Sequence, residues 1–228
     1  MQFNVHKFLM VMMIISVALG LFLLHQQIFM KGNTVKSGIV IILNGPSAAG
    51  KSSLQKSIQR LAPVPYLNVG IDNFFNDLFP DEHGKLGVKA EVDFGNDLRW
   101  VTIADNLVYL HVGPQGQKIV NGMNRAIAAY VKTGNNVVVD YIMYEKHWLD
   151  DLLHELQGCP VYLIGVTVPL DVLQAREQAR STSPIGHAGS HYHTVHIGNE
   201  YDLWIDNSQG SADVGAQKIL EFVKNNPR

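Results

Sequence analysis

The apolar positions of the chain fall into short blocks separated by longer amphipathic stretches, and no single period runs through it. Residues 39–43 (Ile-Val-Ile-Ile-Leu) and 137–139 (Val-Val-Val) are continuous β-branched runs, as expected of strands buried on both faces of a parallel sheet. Residues 66–70, 161–168 and 203–206 read as further strands. Helical spacing occupies 52–60, 118–132 (closed by Gly134), 145–157, 170–180 (opened after Pro169) and 211–224. A short helix is expected over 72–79 and another over 101–111, the latter ended by Gly113-Pro114. Residues 80–100 read as a glycine-punctuated excursion. Strand and helix alternating in this way predict an α/β fold of three layers, a central parallel sheet with helices on both faces. No internal repeat or low-complexity tract interrupts it.

Between the first strand and the first helix lies Gly45-Pro46-Ser47-Ala48-Ala49-Gly50-Lys51-Ser52, a complete G-x-x-x-x-G-K-[ST] loop in the strand–loop–helix setting it requires. Its glycines let the backbone turn its N–H groups toward a nucleotide's phosphates, and the helix start adds the positive end of its dipole. Gly45 through Ser53 are the expected nucleotide contacts. Lys51 is placed to meet the β- and γ-phosphates, and the Ser52 hydroxyl to hold Mg²⁺. In an open α/β sheet ligands sit beyond the carboxyl ends of the strands, which gathers this loop, Asp72 and Asp140 into one crevice. Asp140 closes a strand and is placed to orient Mg²⁺ or its water. Asp72 is placed to take the proton of an attacking hydroxyl; capping a helix at Asn73-Phe74-Phe75 is the other job open to it, and the two are compatible.

Composition narrows the partners. The chain has 228 residues, with 18 Lys+Arg against 20 Asp+Glu, so no basic excess points to nucleic acid. One cysteine, Cys159, excludes an intramolecular disulfide framework. Residues 8–24 are almost wholly apolar, interrupted by Ser16 and Gly20, and no Asp, Glu, Lys or Arg falls between Phe8 and Met30. That length approaches the roughly 20 residues that span a bilayer. The expected organisation is therefore an N-terminal hydrophobic helix acting as a membrane anchor over 1–30, a polar linker over 31–37, and a catalytic domain over 38–228 on the cytoplasmic side, where ATP is available. A cleaved signal peptide and a start at Met30, which leaves a soluble protein, are the alternatives.

The ordered set of Leu43-Asn44-Gly45 to Lys51-Ser52-Ser53, Val69-Gly70-Ile71-Asp72, Gly122-Met123, Gly134 to Asp140, Arg176-Glu177-Gln178-Ala179-Arg180, Thr194-Val195-His196 and Tyr201-Asp202-Leu203 resembles the chloramphenicol phosphotransferase-like group of P-loop kinases. The resemblance implies a P-loop NTPase, kinase-like fold and transfer of the γ-phosphoryl of ATP, with Mg²⁺, to a hydroxyl of a small molecule. It implies Asp72 as base, and Arg176 and Arg180 on a lid-like segment over the phosphates. A kinase of nucleotide-sugars resembling the zeta toxins, and a nucleotide-binding module that has lost catalysis, are the competing readings. The second is motivated by Ser181-Thr182-Ser183, which stands where relatives carry a further lid arginine. His187, His191, His193 and His196 lie beside the expected lid without a carboxylate or thiolate at a zinc spacing, and read as polar loop residues.

Overall fold

The computed structural model describes residues 12–13, 15–21, 36–77, 98–180 and 183–228. Met1–Lys36 and Ser37–Arg228 are two separate compact units. In the first, residues 12–13 and 15–21 are helical and exposed. Among the described residues no helix is long and apolar enough to cross a membrane, so the expected anchor gains no support there. The remainder of that segment and most of the linker lie outside the described residues.

The second unit contains strands β1 (Val40–Asn44), β2 (Tyr66–Gly70), β3 (Leu98–Thr102), β4 (Val108–Val112), β5 (Asn136–Tyr141), β6 (Val161–Thr167) and β7 (Leu203–Asp206). Its helices are α1 (Lys51–Leu61), α2 (Pro114–Lys132), α3 (Lys146–Glu155), α4 (Leu170–Arg180), α5 (His187–His191) and α6 (Ala212–Asn225). Five strands form a parallel sheet in the order β2-β5-β1-β6-β7. Because β1 is central and buried on both faces, its alternate side chains feed two cores. Val40 and Ile42 pack with Met123, Ile127, Trp148 and Leu152 of α2 and α3. Ile41 and Leu43 pack with Leu54, Ile58, Ile219 and Val223 of α1 and α6. Each such side chain, fully withdrawn from water, contributes about 2 kcal/mol. That two-sided demand explains the unbroken apolar runs at 39–43 and 137–139.

One helical expectation gives way to other structure. Residues 101–111 are not a helix; they lie within the antiparallel hairpin β3–β4. Val108, Leu110 and Val112 alternate as buried positions along β4, and Asp105 and Asn106 turn the chain with φ of 59° and 57°. Asp and Asn are among the residues that tolerate that left-handed region, so the reversal had a local signal. Gly113-Pro114 opens a helix and does not close one: Pro114 occupies the first turn of α2, where its missing N–H has no partner to lose. The short helix expected at 72–79 is a π-helical turn at Asn73–Asp77, with residues 78 and 79 outside the described set.

Candidate active site

The Gly45–Ser52 loop joins β1 to α1, and two of its glycines are dictated by sterics. A Cβ on Gly45 would lie 2.3 Å from the Val166 carbonyl oxygen on the neighbouring strand. Gly50 sits at φ +85°, where a Cβ would meet the Asn207 amide nitrogen at 2.5 Å. Between them Ala48 adopts φ 64°, a left-handed conformation that costs an L-residue on the order of 1 kcal/mol and is held by the surrounding loop. The Asn207 side chain donates to the Ala49 carbonyl at 2.7 Å, bracing the loop from the end of β7.

Lys51 is 5% exposed, and its ammonium donates to the carbonyls of Gly45 at 2.9 Å and Pro46 at 3.0 Å. It also stands 3.5 Å from Asp140 Oδ1. Burial pulls the Lys51 pKa down, Asp140 and then Asp72 oppose that, and Arg180 reinforces it. The Ser52 hydroxyl donates to Asp140 Oδ2 at 2.5 Å. Two hard oxygens therefore converge at the start of α1, the donor set a divalent cation such as Mg²⁺ prefers, and the residues present fit that ion. Among the described residues no cluster of three or more His, Cys, Asp or Glu could hold a metal.

A cleft of about 280 Å³ opens over this loop, lined by Lys51, Ser52, Ser53, Asp72, Asp140 and Arg180 among others. Asp72 follows β2 directly, is exposed to the cleft, and is near enough for its charge to act on both Lys51 and Tyr144. The Gly70 N–H at this strand end is met by the Asn73 side chain at 2.9 Å. Arg180, at the end of α4, donates to the Ser47 hydroxyl at 2.6 Å. Arg176, one turn earlier, donates to the Asn207 and Ser208 carbonyls at 2.9 and 3.2 Å. Residues 181–182 lie outside the described residues; Ser183, the position set against the further arginine, is half-buried. Of the expected residues, the loop, Asp72, Asp140 and Arg180 come together; Arg176 braces the loop after β7.

Several supporting contacts carried no signal in local spacing, although Asn44, Glu177, His196 and Tyr201 belong to segments that carry the family resemblance. Asn44, fully buried at the end of β1, donates to the Val195 carbonyl at 2.9 Å and the Tyr201 hydroxyl at 2.6 Å, and accepts from the Met143 N–H at 3.1 Å. It ties the central strand to the lid and to the end of β5. Tyr201 in turn meets His196 Nδ1 at 2.8 Å. Glu177, 2% exposed, accepts from the N–H groups of Gly186 at 2.8 Å and Ala188 at 2.7 Å, which fixes α5 onto α4. On α5, His187 Nδ1 lies 3.2 Å from the Val108 carbonyl and its Nε2 lies 2.8 Å from the Tyr144 hydroxyl. A carbonyl only accepts, so Nδ1 carries the proton and Nε2 accepts from Tyr144. Burial above all draws the His187 pKa down to about 4, keeping the ring neutral.

With this geometry in place, the comparison with known proteins is direct. The model of the family described as chloramphenicol phosphotransferase-like protein matches residues 38–224. The chain belongs to the chloramphenicol phosphotransferase-like family. Membership makes it a phosphotransferase. Two Mycobacterium tuberculosis proteins, from strains CDC 1551 / Oshkosh and ATCC 25618 / H37Rv and provisionally named O-phosphotransferases, are each 32% identical over 190 residues, covering 81% of this chain and 81% of theirs. Among solved structures, the Mycobacterium tuberculosis APS kinase CysC in complex with AMPPNP and APS matches with TM-score 0.55 at 15% identity, over 83% of this chain and 99% of its own. A sugar kinase from Janibacter sp. HTCC2649 matches with TM-score 0.57 at 14% identity, over 82% of this chain and 95% of its own. At those identities the likeness to the family member is one of fold, a kinase-like α/β architecture.

Proposed function

We propose that this family member is an O-phosphotransferase that moves the γ-phosphoryl group of ATP to a hydroxyl of a small molecule. The observation that carries the proposal is the meeting, in one cleft, of a phosphate-binding loop with its lysine, the Ser52–Asp140 oxygen pair, the carboxylate of Asp72 and the guanidinium of Arg180. Gly45 to Ser53 would hold the nucleotide's phosphates, with Lys51 released from the Gly45 and Pro46 carbonyls to bind them. Ser52 and Asp140 would hold Mg²⁺, which when bound supplies charge neutralisation on the phosphate oxygens. Asp72 accepts the hydroxyl proton as the acceptor oxygen bonds to phosphorus; the bond to the bridging oxygen breaks and ADP leaves. Arg180 meets the charge carried on the transferring oxygens, where a preorganised donor acts more strongly on the transition state than on the ground state. The family's name makes chloramphenicol and related antibiotics the first acceptors to assay, followed by nucleosides and sugar nucleotides.

The test is transfer from γ-labelled ATP across that acceptor panel, with Mg²⁺ present and withheld. Labelled product that requires Mg²⁺ and a hydroxyl supports the proposal; tight ATP binding with no transfer to any acceptor favours a binding module. A tether through residues 8–24 is a separate proposal resting on hydropathy, and the kinase unit's place on the cytoplasmic side rests on its need for ATP. Carbonate extraction decides it, since an anchored chain stays with the membrane pellet and an unanchored one is released.

A further inference from the structure

The phosphate-binding loop receives a contact that comes from outside the P-loop motif. His191, on α5 and 5% exposed, places Nε2 2.9 Å from the backbone nitrogen of Ser47. The Ser47 N–H is the donor, so Nε2 must be unprotonated. The other ring nitrogen is accounted for as well. The Ser190 hydroxyl spends its hydrogen on the His187 carbonyl at 2.8 Å and stands 3.3 Å from His191 Nδ1, leaving its lone pairs to accept the Nδ1 proton. The chain of donors therefore runs from Ser47 to His191, from His191 to Ser190, and from Ser190 to the backbone of α5, and it closes only for a neutral ring in the Nδ1–H tautomer. His187 and Tyr144 pack their rings against His191 at centroid distances of 4.7 and 5.1 Å, and Lys51 contributes positive charge nearby.

Ser47 is thus gripped on two sides: its N–H by His191 and its hydroxyl by Arg180 at 2.6 Å. We infer that His191 is a positioning residue of the phosphate site, which anchors the loop through the Ser47 amide and so fixes the hydroxyl that holds Arg180 over the cleft. It acts through Ser47 and does not itself touch the phosphates. The inference rests on the nucleotide reading of the cleft, and it makes the lid segment part of the phosphate site before any ligand arrives.

The experiment compares His191→Gln with His191→Leu. Gln offers an amide oxygen that can accept from the Ser47 N–H; Leu fills similar space without an acceptor. Loss of a buried hydrogen bond leaves the Ser47 amide unsatisfied, so ATP affinity should fall by about 10-fold or more in the Leu variant and be largely restored in the Gln variant. Hydrogen exchange at the Ser47 amide should be slow in the wild type and in His191→Gln, and fast in His191→Leu. Nitrogen-15 spectra of the wild-type imidazole should report the Nδ1–H tautomer from pH 6 to 8, a readout that needs neither a folded variant nor turnover. A His191→Leu variant with wild-type ATP affinity and a protected Ser47 amide overturns the inference, as does an Nε2–H tautomer. Equal loss in the Gln and Leu variants also overturns it, because the acceptor would then not be what matters. Absence of phosphoryl transfer, with these binding and exchange results as expected, would count against the proposed reaction and leave the positioning role standing.

Discussion

Removing the carboxylate of Glu177 tests how much of the hold on the α5 segment passes through one buried side chain. The side chain is 2% exposed and accepts from two backbone N–H groups, Gly186 and Ala188, at 2.8 and 2.7 Å. Hydrogen bonds to a charged group contribute about 1.5–3 kcal/mol each, and a buried N–H left without a partner costs about 1–3 kcal/mol. Glu177→Ala abandons two such donors, so a loss of about 2–6 kcal/mol is expected if the segment stays docked. Against a typical total of about 5–15 kcal/mol, that is a large fraction. The segment can also respond by opening locally, which limits the global loss and shifts the cost to α5. Urea unfolding and amide exchange at Gly186 and Ala188 separate these responses. Glu177→Gln keeps one acceptor oxygen but turns an NH₂ group toward the other N–H, so it should lie between wild type and Ala. Because α5 carries His191, ATP affinity should weaken in step with lost protection. If Glu177→Ala unfolds within about 0.5 kcal/mol of wild type and both amides remain protected, the anchoring role is refuted; that margin is the ordinary range for inconsequential surface changes.

Lys51→Ala should lower turnover by about 100-fold or more and weaken ATP binding, since it removes the cation beside the phosphates; wild-type kcat/KM in steady-state assays would sink the loop assignment. Asp72→Asn should lower kcat by about 100-fold or more with the ATP dissociation constant little changed, because the amide keeps the shape but cannot take the proton; a loss of stability with normal kinetics would favour the capping role. His187 has a folded pKa of about 4 against an ordinary 6.5, so the unfolded chain binds the proton first: its contribution is complete above about pH 6.5 and is lost as pH falls toward 4. The difference amounts to about 3 kcal/mol, so urea unfolding should show a marked fall between pH 7 and 4.5 that His187→Gln makes shallower, the buried and neutral His191 keeping its own share; an unchanged slope in that variant would contradict the assignment. Deleting residues 1–30 should leave ATP affinity and the unfolding midpoint of the Ser37–Arg228 unit unchanged, and an aggregated or non-binding product would show that the core needs the upstream chain.

What could be read from the sequence divides by the range of the interaction that encodes it. The buried strands and the Gly45–Ser52 loop depend on neighbours in the chain, so their residue types display them directly. Asp72 and Asp140 were reachable through one topological rule, that sites form at the carboxyl ends of parallel strands. The hairpin β3–β4 was misread because its apolar alternation is short, and Val101 to His111 can be fitted to either period. Its Asp105-Asn106 turn was the better signal. The lid is different in kind. Asn44 meets Val195 across 151 residues of sequence, and Ser47 meets His191 across 144. Pairings at that separation leave no periodic trace in either partner.

Those long-range contacts also explain why the lid needs so little regular structure. α5 is five residues long, too short to be stable by itself, and its segment buries few large apolar side chains. Its position is set by polar anchors: Glu177 at its start, Val108 and Tyr144 through His187, Ser47 through His191, and Asn44 at Val195. Directional anchors of this kind hold a geometry only while every partner is in place, unlike apolar packing, which tolerates small shifts. A phosphate entering the loop must compete with the Gly45 and Pro46 carbonyls for Lys51, and with the Ser47 hydroxyl for Arg180. Both charged groups can exchange those neutral oxygens for phosphate oxygens, whereas the Ser47–His191 contact joins two buried, neutral groups. The same lid can therefore release its cation to the transferring group and still keep the loop in shape.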